Sequence, residues 1–247
     1  MKILEVKEVS KRFEGIVALK ELSFTAVAGE IKAIIGPNGA GKTTLFNVIS
    51  GLIRQDRGEI YFEGREISTL KPFERARLGI GRTFQRSFVF EDLTVFENVL
   101  VIAENVRVRT ERTYLKPAQL AEEIIHRLGL EKKKHLKAGI LSTGDRHLVE
   151  IARALALRPK LLLLDEPAAG LNDKETERLG HILRGLAADG YCVLLVEHDM
   201  KFVMSYADGV LVLHRGERIA EGPPILIQED KKVIEAYLGS DLLHAEY

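Results

Sequence analysis

The sequence predicts an α/β fold with a mostly parallel sheet. Three observations carry that prediction. Short β-type runs alternate with helical periods along most of the 247 residues, the apolar runs Ile31–Ile35 and Leu161–Leu164 have strand length, and a stretch of helical period with few strand signals lies between them.

The elements follow in chain order. Leu22 and Phe24 alternate with Ser23 and Thr25, Ala28-Gly29-Glu30 forms a turn, and the strands up to this point are expected to be short. Ile31–Ile35 ends at a glycine, and the next helix is expected over Lys42–Ser50 with Gly51 at its C′ position. Glu59 to Phe62 followed by Glu63-Gly64 reads as a strand and turn. From near Arg86 the period becomes helical: Ala121, Ile124, Ile125 and Leu128 share one face, with Gly129 as a stop, and Leu148, Ile151, Ala152 and Leu155 repeat the spacing. Lys132-Lys133-Lys134 reads as a solvated helix end without function. Leu161–Leu164 is too short for a helix and suits a central strand, where the sheet resumes. Asn172 and Glu175 form a capping pair ahead of the helical positions Leu179, Ile182, Leu183 and Leu186. Tyr191–Val196 is the next buried strand, Val210–Leu213 with Gly216 and Ile219 a closing hairpin, and the tail from Asp230 is helical.

Composition narrows the class. Lys plus Arg number 36, as do Asp plus Glu, so no global basic field recruits nucleic acid or anionic lipid. With 46% hydrophobic and 29% charged residues the profile is globular and not disordered. The longest run free of Asp, Glu, Lys and Arg, Thr43 to Ile53, falls far short of the ~18 apolar residues of a membrane span. The opening MKILEVKEVSKRF lacks the apolar core of a secretory signal, so the chain is expected to stay where it is made. Cys192, the single cysteine, lies in the apolar run YCVLLV and reads as a buried strand thiol in a reducing cytosol.

Two motifs carry chemistry. Gly36-Pro37-Asn38-Gly39-Ala40-Gly41-Lys42-Thr43 fits G-x-x-x-x-G-K-[ST] and sits between an apolar strand and a helix start, as phosphate binding requires. Glycines let backbone N–H groups turn inward on phosphate oxygens, and the helix N-terminus adds positive potential. Lys42 reaches the outer phosphates, and Thr43, followed by Thr44, can ligate Mg²⁺. LLLLDE at Leu161–Glu166 places two carboxylates at the C-terminal end of a buried strand, where open α/β sheets bind ligands. Asp165 is expected to hold Mg²⁺ directly or through water, and Glu166 to serve the attacking water as general base or as positioning group.

Between these motifs lies LSTGDRHLVEIARAL, Leu141–Leu155, and with it the sequence resembles the ATP-binding cassette ATPases. The resemblance implies that this signature opens a helix whose N-terminus binds the γ-phosphate of ATP held by an opposite subunit; Ser142 and Gly144 match. Thr143 stands where glycine is commonest and Asp145 where glutamine is, which puts an acid near a triphosphate. Gln85, ending IGRTFQ, looks like the glutamine that links Mg²⁺ and the lytic water to the membrane partner, and His198 resembles the switch histidine that contacts the γ-phosphate. Phe13, in KRFEG, corresponds to the aromatic that stacks on adenine, and Ala169-Gly170-Leu171-Asn172 to the D-loop.

The resemblance runs from Leu4 to Gly239 and implies a single cassette domain over residues 1–247. Its expected parts are a P-loop NTPase core with a mostly parallel sheet, an N-terminal antiparallel β subdomain, and an α-helical subdomain inserted at about 86–158. More narrowly, GIGRTFQ, EPAAGLN, LLVEHDM and VIEAYLG look like the ATPases of bacterial branched-chain amino acid importers. That likeness implies ATP-driven dimer closure with a second nucleotide-binding subunit, identical or paralogous. It also implies two transmembrane permease subunits, an external solute-binding protein reached indirectly, no nucleic acid, and a place on the inner face of the cell membrane. The ATPase of a lipid or lipopolysaccharide exporter shares every catalytic element named. A soluble cassette protein usually carries two cassettes or a long coiled-coil insertion, and this sequence has one cassette and no such insertion.

Overall fold

The structure, a computed structural model, describes residues 1–84, 89–105 and 116–244. Strands β1 (Lys2–Phe13), β2 (Ile16–Val27), β4 (Arg57–Phe62) and β5 (Arg65–Glu66) form an antiparallel sheet in the order β2-β1-β4-β5. The first two strands are longer than the sequence predicts, with 12 residues each. Their pairing absorbs several irregularities, one of them between Val6 and Val9, where Glu8 takes φ 50° and its N–H goes to the Ser23 hydroxyl at 2.8 Å. Each bulge adds a residue and breaks the two-residue period by which a long strand is read.

The second sheet has the order β10-β9-β3-β8-β7-β6. Strands β3 (Ile31–Ile35), β6 (Ile80–Arg82), β7 (Leu161–Asp165), β8 (Cys192–Val196) and β9 (Gly209–His214) run parallel, and β10 (Glu217–Gly222) closes the edge antiparallel to β9. Burial on both faces explains why β3, β7 and β8 read as short apolar runs. Lys32 is tolerated inside β3 because its ammonium reaches out to the Thr25 carbonyl at 2.5 Å and to Glu221 at 2.9 Å. Burial pushes the Cys192 thiol in β8 up to about 12.

Alternate strand residues feed two cores. Ile34, Leu161, Leu163 and Leu194 pack with the first sheet and with α1 (Lys42–Ser50). Ala33, Leu162, Leu164 and Leu195 pack on the other side, against α3 (Val95–Asn105), α4 (Pro117–Arg127), α5 (Thr143–Ala156) and α6 (Asp173–Ala188). Helices α3 to α5 lie in the chain between β6 and β7, and the predicted face Leu148, Ile151, Ala152 and Leu155 of α5 is buried. Short α2 (Pro72–Leu78) precedes β6, while α7 (Met200–Tyr206), α8 (Pro224–Gln228) and α9 (Lys231–His244) complete the chain. None of the helices among the described residues is long and apolar enough to cross a membrane.

Two features orient the site. Gly51 ends α1 at φ 80°, and the buried guanidinium of Arg75, from α2, donates to the terminal carbonyls of Val48 (2.7 Å) and Ile49 (2.8 Å), pinning the helix from its far end. Parallel register sets Ile34 opposite Val196 and Val196 opposite Asp165, so the loops leaving β3, β7 and β8 emerge at one edge.

Candidate active site

The loop after β3 turns into α1 through Gly41, which takes φ 105°. No side chain caps that helix, so none competes for the N–H groups of its first turn. Gly36, at φ 149°, is required by packing: a Cβ there would lie 2.1 Å from the Leu213 carbonyl oxygen of β9. Lys42 is buried, and its ammonium donates to the carbonyls of Gly36 (2.6 Å) and Pro37 (3.0 Å). Burial lowers its pKa, opposed by the carboxylates of Glu166 and Asp165. Asn38, Gly39 and Thr43 are exposed, Pro37 and Thr44 half-buried, and Ala40 packs inward. The Tyr237 phenol of α9, which the sequence does not single out, is hydrogen-bonded to the Gly36 backbone.

Asp165 ends β7, and burial raises its pKa against the pull of Arg82. The Arg82 guanidinium lies 3.5 Å from the Asp165 carboxylate and donates to Asn47 (2.8 Å) and Ser50 (2.7 Å), so it joins the β7 carboxylate to α1. Glu166 follows at φ 50°, rare for a residue with a Cβ, and its Oε1 lies 3.0 Å from His198 Nε2. Glu197, like Arg82 and Tyr237, is a residue that sequence reasoning misses here. Its buried carboxylate accepts the N–H of Ala168 (2.8 Å) and of His198 (3.1 Å), fastening the turn after Glu166 to the segment that carries His198. Burial pushes the Glu197 carboxyl up to about 7. A lone acid directly after an unbroken apolar strand is the signal that could have found it.

Phe13 stands 42% exposed where β1 turns into β2, and β2 abuts the phosphate loop, since a Cβ on Gly41 would meet the Ala18 carbonyl at 2.5 Å. Gln85 lies outside the described residues. At α5, Ser142 is the N-cap and accepts the Asp145 N–H at 3.2 Å. Asp145, on the first turn of α5, is a buried acid. It is 3% exposed and turned inward, held by Lys133 and by Arg178 Nη1 (3.0 Å). Thus two lysines of the 132–134 run have carboxylate partners, Lys133 with Asp145 and Lys134 with Glu122 at 2.8 Å. Asn172 caps α6 with Glu175 in a full capping box, as the sequence predicts.

The family model for ABC transporters matches residues 19–169, on which the phosphate loop, the signature helix and the β7 carboxylates all fall. The chain belongs to the ABC transporter ATP-binding cassette family. A second model, for branched-chain amino acid ATP-binding cassette transporters, matches residues 217–242 of the cassette. The high-affinity branched-chain amino acid transport ATP-binding protein BraF of Pseudomonas aeruginosa is 38% identical to the cassette over 250 residues, 96% of this chain and 98% of BraF. The crystal structure of the ADP conformation of MJ1267, a cassette of an ABC transporter, superimposes with a TM-score of 0.87 at 35% identity, covering 97% of this chain and 99% of that one. The dimeric post-hydrolysis structure of the cassette MJ0796, bound to ADP and Pi, gives a TM-score of 0.77 at 30% identity over 90% of this chain and 99% of that one. The cassette is accordingly an ATPase with the expected α/β core and antiparallel β sheet.

Proposed function

We propose that the chain is the ATP-binding and ATP-hydrolysing subunit of an importer for branched-chain amino acids. It works as a dimer beneath two permease subunits on the inner face of the cell membrane, served by an external solute-binding protein. The match of residues 217–242 to branched-chain amino acid cassettes carries the solute class, because it falls on a part of the chain outside the shared catalytic motifs. Near full-length identity to BraF supports it.

In this reading the chain is one domain with a helical subdomain at about 86–158, and each site residue has a task. Gly36 to Thr44 hold the phosphates, with the Lys42 ammonium exchanging two loop carbonyls for outer phosphate oxygens. The Phe13 ring takes the adenine. Thr43 and Asp165, with Gln85, offer the oxygen ligands that suit Mg²⁺, which when bound neutralises charge on the terminal phosphates. Glu166 accepts a proton from the attacking water or orients it, and His198, 3.0 Å away, fixes the Glu166 carboxylate while facing the same phosphate. Ser142 and Gly144 address the nucleotide of the second subunit, an arrangement supported by the dimeric MJ0796 cassette with ADP and Pi. A groove of about 460 Å³, lined by Arg82, Phe84, Ile102, Glu150, Arg153 and Leu157, receives a permease segment beside the helices that relay closure.

Purification from the native membrane tests the reading. The chain should come out with two multispanning proteins, and leucine, isoleucine or valine with the external binding protein should stimulate ATP hydrolysis by that complex. Stimulation by lipid or lipopolysaccharide instead would favour an exporter, and recovery with ribosomes would overturn the transport reading.

A further inference from the structure

The Ser142 hydroxyl stands between two carboxylates. It lies 2.9 Å from Glu175 Oε1 and 3.2 Å from Asp145 Oδ2, and its single proton can go to only one of them. The two acids differ in their surroundings. Asp145 is matched by Lys133 and Arg178, whereas Glu175 has no ion-pair partner among the described residues and is otherwise bonded to Asn172, through the backbone N–H (3.3 Å) and Nδ2 (2.9 Å).

Gly144 makes this approach possible. A Cβ at that position would lie 2.7 Å from both Cδ and Oε1 of Glu175, so only glycine lets the acid from α6 lie over the first turn of α5. A helix N-terminus attracts negative charge, and here the chain's own carboxylate already occupies that place.

We propose that Glu175 is a positioning residue for the signature: it holds the Ser142 hydroxyl within the subunit and yields it to the terminal phosphate of nucleotide carried by a second copy of the chain. This rests on the reading that Ser142 faces nucleotide across a dimer. An incoming phosphate meets a like charge and takes the Ser142 proton only by displacing Glu175, which keeps its capping bonds to Asn172. Dimer closure is therefore opposed by an internal contact until a triphosphate is present to replace it.

The test is sedimentation against ATP concentration in a Glu166→Gln background, where hydrolysis does not drain the closed form. Adding Glu175→Gln keeps a residue accepted at the third position of a capping box but removes the charge. ATP-dependent association should then tighten about five- to tenfold, the difference between a charged and a neutral hydrogen bond. Glu175→Asp, with the charge kept and the reach shortened, should shift association the same way by less. Urea midpoints report whether each variant folds. In Ser142→Ala the gain should vanish. Unchanged or weaker association in both Glu175 variants overturns the proposal, as does an equal gain in Ser142→Ala. A Glu166→Gln parent that stays monomeric with ATP overturns the shared-site reading itself, and this proposal with it; a parent that dimerises while the Glu175 variants do not differ overturns this proposal alone.

Discussion

Glu166 Oε1 and His198 Nε2 lie 3.0 Å apart, joining the ends of two neighbouring parallel strands. The contact follows from register. Asp165 of β7 is opposite Val196 of β8, so the residue after the first and the second residue after the other meet beyond the sheet. The backbone supports it from below, because the Glu166 N–H donates to the Val196 carbonyl at 3.0 Å and Glu197 binds the amides on both sides. A carboxylate and an imidazole are thus held beside the phosphate loop by strand pairing and not by loop contacts alone.

Lys42→Ala should weaken ATP binding about a hundredfold or more. The side chain is the buried cation of the loop, and in the proposed function it gives up two carbonyl partners for charge-assisted bonds to phosphate, each worth roughly 1.5–3 kcal/mol. Calorimetric titration measures this. Wild-type affinity in the variant would remove the phosphate-loop assignment.

Asp145→Asn should destabilise the fold by about 1–3 kcal/mol, below the 3–5 of a fully buried pair, because Lys133 and Arg178 are 42% and 38% exposed and can resolvate. Burial pushes the Asp145 carboxyl up, but Lys133, Arg178 and Ser142 outweigh it and hold it below the usual range. Its contribution is therefore present above the unfolded carboxyl pKa and is lost as pH falls through the lower folded value. In urea unfolding, Arg178→Met should cost less in the Asp145→Asn background than in the wild type. Additive losses would mean that the two side chains do not act together.

Much of this was legible along the chain, and what was not has specific causes. The helix Lys42–Ser50 with Gly51 behind it, the strand predicted over Leu161–Leu164 and the Asn172–Glu175 cap depend on residues within a few positions of one another; helix and cap stand where the sequence puts them, and the strand runs one residue further, to Asp165. The full length of β1 and β2 was hidden because bulges scramble their alternation. The orientation of Asp145 could not be read locally, since its cations come from 12 and 33 residues away on other elements. The roles of Arg82 and Glu197 are not legible in the sequence for a related reason. Each looks like a stray charge beside an apolar strand until the fold supplies Asp165 to one and the Ala168 amide to the other.

Glu197 gives the chain a pH signature. With its carboxyl raised from 4.5 to about 7 by burial, and by the nearby Asp199 charge against its backbone N–H donors, the folded state binds a proton more tightly than the unfolded one. Stability should fall as pH rises from about 4.5 to 7 and level off above that, by roughly 3 kcal/mol at 1.36 per pKa unit. Glu197→Gln should remove this component, so urea unfolding of the two proteins at pH 5 and pH 8 should give stability differences that are not parallel. Parallel profiles would place the proton elsewhere.

Turnover and self-association of Glu166→Gln are the decisive measurement, because in the proposed mechanism Glu166 serves the attacking water and ATP bridges two copies of the chain. The amide keeps the shape of the side chain but accepts no proton, so ATP hydrolysis should slow by roughly 10² to 10⁴. Sedimentation should show a dimer that grows with ATP concentration and is absent with ADP, while the wild type dimerises only transiently. Near-normal hydrolysis, or a monomer at every ATP concentration, would contradict the account.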